Sequence, residues 1–259
     1  MLQQTQISRV LPKYKEFLKE FPNIKTLART SDKKLLKVWA GLGYWRRAKF
    51  LKEAAKRIVR EYKGKFPQDP KILETFHGIG HYTARALTCF AFSAPKGRDL
   101  ASGGGNQEAF LDTNIRRVYL HFFFPNKKDV SDTQILKIAQ RTLYYLFDGR
   151  QKHTIKISAR EWHYALFDYG ATVLKDKTIN KRSRHYHRQS KFEGSFRSFR
   201  TRAVRFILEH PHDKVTHQTL TAFLQKELKQ TNSPYSPDQI ISALLKDNLI
   251  KKSLPYYFL

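Results

Sequence analysis

The chain has 259 residues and carries 49 Lys+Arg against 22 Asp+Glu, a formal charge of +27. Its 41% hydrophobic content excludes a basic disordered tail, which lacks apolar residues to bury. A folded chain this basic repels itself, so it calls for a polyanionic partner, with nucleic acid ahead of an anionic membrane surface.

No segment approaches the roughly 20 apolar residues of a membrane helix. The opening Met1-Leu2-Gln3-Gln4-Thr5-Gln6 has neither the charge nor the apolar run of a signal peptide. Cys89 is the sole cysteine; this rules out an internal disulfide or a four-cysteine metal cluster and fits a reducing cytoplasm.

Helical periodicity dominates the first two thirds. Val10, Tyr14, Phe17 and Phe21 recur at helical spacing, and Phe21-Pro22 closes that segment. A shorter stripe follows at Leu35, Val38 and Trp39. Leu51, Ala54, Ala55, Ile58, Val59 and Tyr62 form a longer one that stops at Gly64. Residues 94–109, with Gly97, Gly103, Gly104 and Gly105, read as a surface loop; no Gly-Lys-Ser/Thr follows, so a phosphate cradle is not indicated. Further stripes lie at Ile135, Ile138 and Leu146, and at Trp162, Ala165, Leu166 and Tyr169.

Residues 175–200 are crowded with Lys and Arg and poor in aliphatic residues, the pattern of a basic linker. Beyond it, three helices are predicted over 199–209, 216–228 and 237–247, the last with Ser236 as N-cap and Pro237 at its first position. The tail from Leu249 to Phe258 fits two short strands. Three helices and a hairpin predict a winged helix; a helical cap packed on the first domain is the competing arrangement.

Two motifs carry chemistry. In Phe76-His77-Gly78-Ile79-Gly80-His81-Tyr82-Thr83-Ala84, two glycines flank an aliphatic residue, which suits a tight hairpin and close approach of a phosphate. A helix starting near Tyr82 would aim N–H groups and its dipole at that anion, a grip that reads no sequence. An ordinary turn between helices is the plainer alternative. About thirty residues on, Leu111-Asp112-Thr113-Asn114-Ile115-Arg116-Arg117-Val118 places a carboxylate at a helix start beside two arginines, where simple N-capping is again an alternative.

Hairpin and aspartate together resemble the helix-hairpin-helix–Gly/Pro–Asp superfamily of DNA glycosylases. Met1-Leu2-Gln3-Gln4-Thr5-Gln6-Ile7 and Trp39-Ala40-Gly41-Leu42-Gly43-Tyr44-Trp45-Arg46-Arg47-Ala48 are similar to two segments of its MutY-type adenine glycosylases. The four motifs keep the family's order and spacing over about residues 1–175.

The resemblance implies a carboxylate, Asp112, facing a flipped nucleotide and stabilising the oxocarbenium-like sugar as the base leaves, supported by Tyr82 and Asn114. It implies a DNA-contact set of Gln3, Gln4, Thr5, Leu42, Gly43, Tyr44, Arg47, Gly78, Ile79, Gly80, Tyr82, Thr83 and Arg116. Gln4 would contact the base opposite the target and Tyr44 would wedge into the stack. Core packing is the alternative for Tyr44 and the expectation for Trp45. Arg116 and Arg117 are candidate phosphate ligands. Bifunctional relatives carry lysine where this chain has Tyr82, so a monofunctional glycosylase is implied; thymine-mismatch enzymes of the superfamily share the tyrosine.

Three departures from the family pattern stand out. The family's adenine-protonating glutamate would lie two residues before Met1, so the sequence reads as N-terminally truncated, with little or no base excision expected of it as it stands. The first cysteine of the family's iron–sulfur cluster would fall at Leu174 and no others follow, so no cofactor is expected; the basic run after Lys175, with Phe192-Glu193-Gly194-Ser195, would take the place of the cluster loop. His185 and His187 lack the company of a metal site. The residues after Lys191 are too few and too helical for the nucleotide-hydrolase-like domain that senses oxidised guanine in many relatives.

The expected fold is mostly α: a helix-hairpin-helix DNA glycosylase domain over 1–190 and a small winged-helix-like domain over 191–259. The expected function is removal of adenine mispaired with guanine or 8-oxoguanine by a monomer that binds duplex DNA in the cytoplasm, at the nucleoid, with no metal and no membrane. A thymine glycosylase for G·T mismatches and a non-catalytic mismatch- or abasic-site-binding protein remain as alternatives.

Overall fold

A computed structural model describes residues 1, 2, 5–92, 108–147, 157–188, 190–210 and 214–259. They fold into two compact units, Pro67–Arg188 and a second made of Met1–Phe66 with Gln189–Leu259. The chain therefore leaves the second unit once and returns to it. Residues 191–259, expected as a domain of their own, share one unit with the first 66 residues.

In that unit, α1 (Ile7–Glu20) buries Val10 and Phe17 and ends at the Phe21 cap. Tyr14 is exposed although its spacing put it on the buried stripe. Two short helices, α2 (Ile24–Arg29) and α3 (Asp32–Trp39), start from Asn23 and Ser31 side-chain caps. α4 (Arg46–Glu61) turns Ala48, Lys49, Lys52, Ala55 and Ile58 inward. Leu51, predicted to be on its core face, is exposed. The two lysines replace it there because both end on Asp32, at 2.5 Å each. Burial alone would raise the Asp32 carboxyl; the hydrogen bonds and charges of Lys49 and Lys52 outweigh it and hold the group at about 2.

The C-terminal part of this unit is winged-helix-like. α10 (Phe196–Glu209) begins three residues before its predicted start, capped by Ser195. β1 (Lys214–Thr216), which sequence reasoning missed, leads into α11 (His217–Gln230) capped by Thr216. α12 (Pro237–Lys246) has a full capping box between Ser236 and Gln239. β2 (Lys251–Ser253) and β3 (Tyr256–Phe258) form the hairpin, and the antiparallel sheet order is β1-β3-β2, with Val215 opposite Tyr257. Phe199, Val204, Ile207, Leu220, Leu224, Ile240 and Leu244 of this part belong to the same apolar cluster as Leu35, Leu36, Trp39 and Ala48. Loss of that shared apolar surface from water is what joins two sequence-distant segments into one unit.

The other unit contains α5 (Pro70–Glu74), α6 (His81–Phe92), α7 (Thr113–Phe123), α8 (Asp132–Phe147) and α9 (Ala159–Asp168). A π turn, Tyr169–Val173, continues α9, and a 3-10 turn spans Lys177–Arg182. Its core gathers Phe110, Ile115, Leu120, Ile135, Leu143 and Leu166. The inward face of α9 is Ala159, His163 and Leu166, continued by Gly170; Ala165 and Tyr169 of the predicted stripe are exposed. His163 is buried because its Nδ1 reaches the Ala159 carbonyl at 2.7 Å and its ring stacks on Phe110 at 4.1 Å. Most of the glycine-rich stretch 94–109 lies outside the described residues; Ala109, at its end, is buried. The predicted basic linker is corrected: its first half is the 3-10 turn, with Ile179 in the core, and its end is the first turn of α10.

Candidate nucleic-acid interface and glycosidase site

The hairpin joins α5 to α6. Asp69 caps α5, and Pro70 opens it. Leu73 and Phe76 are buried beneath the turn, while Gly78 and Gly80 are exposed. Gly78 has φ +79°, a left-handed conformation that a side chain resists. A Cβ at Gly80 would meet nothing within 4 Å, so the space over the α6 start is open. Ala84 N–H donates to Gly80 O at 3.0 Å at the start of α6, and the N-terminal end of a helix aims its N–H groups and dipole toward the space in front of it. Arg85, which sequence reasoning missed, locks the motif from below: it is buried, pairs with Glu74 across the hairpin, and donates Nε to Glu108 at 2.6 Å. Its signal in the sequence was only an arginine on the inward face of a helix.

Asp112 is the N-cap of α7, its Oδ1 accepting from the Ile115 N–H at 2.6 Å. The capping role is real, and the site's electrostatics go beyond it. Burial raises the Asp112 carboxyl above its usual range, against the pull of the Ile115 and Asn114 N–H groups and the charges of Arg116 and Arg117. Tyr82, half-buried on α6 and edge-on to Phe110 at 5.8 Å, has its phenol pushed up to about 12 by burial and by the Asp112 charge. Tyr82 is thus a neutral hydroxyl beside a poorly solvated carboxylate. Such a carboxylate stabilises a nearby cation more strongly than one in bulk water.

Asn114 accepts from Arg117 Nη1 at 3.4 Å. Arg117 is buried and donates the same nitrogen to the Gly170 carbonyl at 2.5 Å. That burial corrects its expected phosphate role: it fastens the α7 start to the π turn. Gly170 packs directly on Asn114, where an added Cβ would lie 2.8 Å from the Asn114 carbonyl carbon. Arg116 makes a two-pronged pair with Asp132, at 2.8 and 2.7 Å, so its guanidinium is committed within the protein. Thr83 is half-buried on the first turn of α6.

In the other unit, Gln3 and Gln4 lie outside the described residues. Thr5 donates Oγ1 to the Leu42 carbonyl at 3.1 Å. Leu42 is buried, which corrects its assignment as a DNA-contacting side chain. Arg47 holds the Met1 carbonyl at 3.2 Å, the Thr5 hydroxyl at 3.2 Å and the Leu42 carbonyl at 3.3 Å, so it organises the loop from within. Gly43 has φ +67° and Tyr44 φ +47°; Trp39 Nε1 donates to the Gly43 carbonyl at 3.0 Å. Tyr44 is half-buried, while Trp45 is in the core as expected.

The cluster implied by the family does not fit these residues. Leu174, at the position of the first ligand, is buried among apolar neighbours, and Ile179 fills the same core. Cys89 is buried in that core with its sulfur 3.8 Å from His163 Nδ1. Among the described residues no group of three or more His, Cys, Asp or Glu is placed to hold a metal ion, and no helix is long and apolar enough to cross a membrane.

Residues 1–143 match the family described as HhH-GPD superfamily base excision DNA repair protein. The chain is 39% identical over 178 residues to the adenine DNA glycosylase of Mycobacterium tuberculosis (strain CDC 1551 / Oshkosh), covering 69% of this chain and 52% of that one. It is 31% identical over 173 residues to the adenine DNA glycosylase of Buchnera aphidicola subsp. Baizongia pistaciae, covering 67% and 43%. The chain thus spans about half the length of these relatives. A solved thermostable thymine-DNA glycosylase has the same fold, with a TM-score of 0.50 at 22% identity over 68% of this chain and 71% of that one. Exposed hairpin, half-buried aspartate at the α7 start and matched residues agree: the chain belongs to the HhH-GPD superfamily of base excision DNA repair proteins.

Proposed function

We propose that the chain is a monofunctional DNA glycosylase scaffold that removes adenine mispaired with guanine or 8-oxoguanine. The observation that carries this reading is Asp112, half-buried at the N-cap of α7 with its Oδ1 held by the Ile115 N–H at 2.6 Å, near enough for its charge to act on the Tyr82 phenol. When the bond between base and deoxyribose breaks, positive charge develops on the sugar, and a carboxylate held in low dielectric stabilises it without having to reorganise. The target nucleotide must leave the stack to reach it. The exposed hairpin of Gly78, Ile79 and Gly80 supplies the phosphate grip, and Tyr44 the wedge. Tyr82 offers no amine to form a Schiff base, so the strand is left uncut. The names of the relatives favour adenine as the base. In this reading the protein acts as a monomer on mismatched duplex in the cytoplasm, with water as the only co-reactant.

The test is single-turnover release from a duplex carrying adenine opposite 8-oxoguanine. It is run with this chain and with a version extended upstream that has glutamate two positions before Met1. Release by the extended form, abolished by Asp112→Asn with binding retained, is the expected result. Faster release of thymine from a G·T duplex would move the assignment to the thymine reading. Tight binding with no release of either base, in both forms, would leave a non-catalytic binding protein.

A further inference from the structure

Tyr44 is held by a residue far away in the sequence. Arg197, at the start of α10, donates Nη1 to the Tyr44 hydroxyl at 2.9 Å, across 153 positions of chain. Its guanidinium also lies 5.7 Å from the Tyr44 ring centre, and the Arg47 guanidinium lies 5.3 Å from it. Arg197 is itself fixed: Nη2 donates to the Ser190 carbonyl at 3.1 Å, and the group rests 5.6 Å from the Phe192 ring centre.

We propose that Arg197 is a positioning residue for Tyr44, holding the phenol ring in the orientation in which it enters the base stack. This rests on the reading of Tyr44 as a wedge. At φ +47° Tyr44 sits in the left-handed region of a turn that also holds Gly41 and Gly43, where a ring with two torsions would otherwise sample several directions. One hydrogen bond and two cation–ring contacts remove that freedom, yet the ring stays half-exposed and able to meet a base. A planar guanidinium can rest on the ring and donate to its hydroxyl with one rigid group, which a lysine ammonium cannot reproduce. Direct phosphate binding by Arg197 is disfavoured by its commitments: both terminal nitrogens are engaged, and Nε is buried without a partner. The segment Ser190 to Arg197 thereby makes the C-terminal part of the chain a contributor to lesion discrimination.

The experiment uses duplexes with an abasic tetrahydrofuran opposite 8-oxoguanine and 2-aminopurine as the neighbouring base, beside the matched duplex. Fluorescence of 2-aminopurine reports wedging, and the ratio of the two dissociation constants reports discrimination. Ordering one aromatic side chain in advance corresponds to a fall of about three- to tenfold in that ratio for Arg197→Ala. The fluorescence rise should shrink with it, matched-duplex affinity and its salt slope should stay unchanged, and Arg197→Lys should recover only part of the effect. Tyr44→Phe, which keeps the ring and loses the bond, should give a smaller loss that does not add to that of Arg197→Ala. A uniform loss on both duplexes with a salt slope lower by about one would mean a phosphate contact and overturn the proposal. An unchanged ratio with Arg197→Ala, in a protein whose Tm is preserved, would also overturn it, provided Tyr44→Ala lowers the ratio. If Tyr44→Ala itself changes neither fluorescence nor ratio, the wedge reading falls and takes this proposal with it.

Discussion

Gly170→Ala probes how the candidate site is held. The π turn presses Gly170 onto the first turn of α7, so that a Cβ there would lie 2.8 Å from the Asn114 carbonyl carbon and 3.0 Å from its Cβ. The atoms in the way are backbone and the Cβ fixed to it, which cannot rotate aside as the far end of a flexible side chain could. Gly170 O is also the acceptor for the buried Arg117, so relief by moving the turn weakens that bond as well. Overpacking of this kind costs about 2–3 kcal/mol. For a chain of this size that corresponds to a fall of roughly 4–12 °C in Tm. Melting followed by circular dichroism, at pH 7 and fixed salt, is the assay. Because displacement of Asn114 also displaces Asp112, single-turnover release by the form extended upstream should fall further than the lost folded fraction explains. A Tm within about 2 °C of the parent would refute the reasoning, since it would mean the α7 start and the π turn can separate freely.

Two carboxylates should respond to pH with opposite signs. The folded Asp112 carboxyl is raised by burial, so ionising it costs native stability; the cost grows as pH rises from 3.8 through the folded value. Asp112→Asn keeps an oxygen to cap α7 and should be at least as stable as the parent at pH 7, with the difference vanishing as pH falls toward 3.8. A large loss of Tm at pH 7 would contradict this. Asp32 is lowered, so its ion pairs contribute stability above 3.8 that is lost as pH falls toward about 2. Asp32→Asn should be destabilised by about 3 kcal/mol at pH 7, the low end for stranding buried lysines because Asp32 itself is partly exposed. Urea melts over that pH range should show its deficit shrinking; a constant deficit would point to packing instead of charge.

Local signals in the sequence determined much of this protein. Cap residues set helix starts almost to the residue: Ser236 with Pro237 for α12, and Asp112 for α7. Such motifs act through neighbours three positions away, so one sequence suffices to read them. The hairpin glycines and the aspartate were legible for the same reason, and with them the family. What the sequence did not reveal depends on partners distant along the chain. Lys49 and Lys52 are buried only because Asp32 meets them, and His163 only because Ala159 and Phe110 accept it; hydropathy alone assigned those faces to Leu51 and Tyr169. β1 is three residues long and became a strand only when Tyr256, Tyr257 and Phe258 came alongside. Above all, the joining of residues 1–66 with 189–259 and the tether from Arg197 to Tyr44 arise from long-range burial and hydrogen bonding. Local propensity carries no record of which remote surface will be covered; only the folded chain decides it.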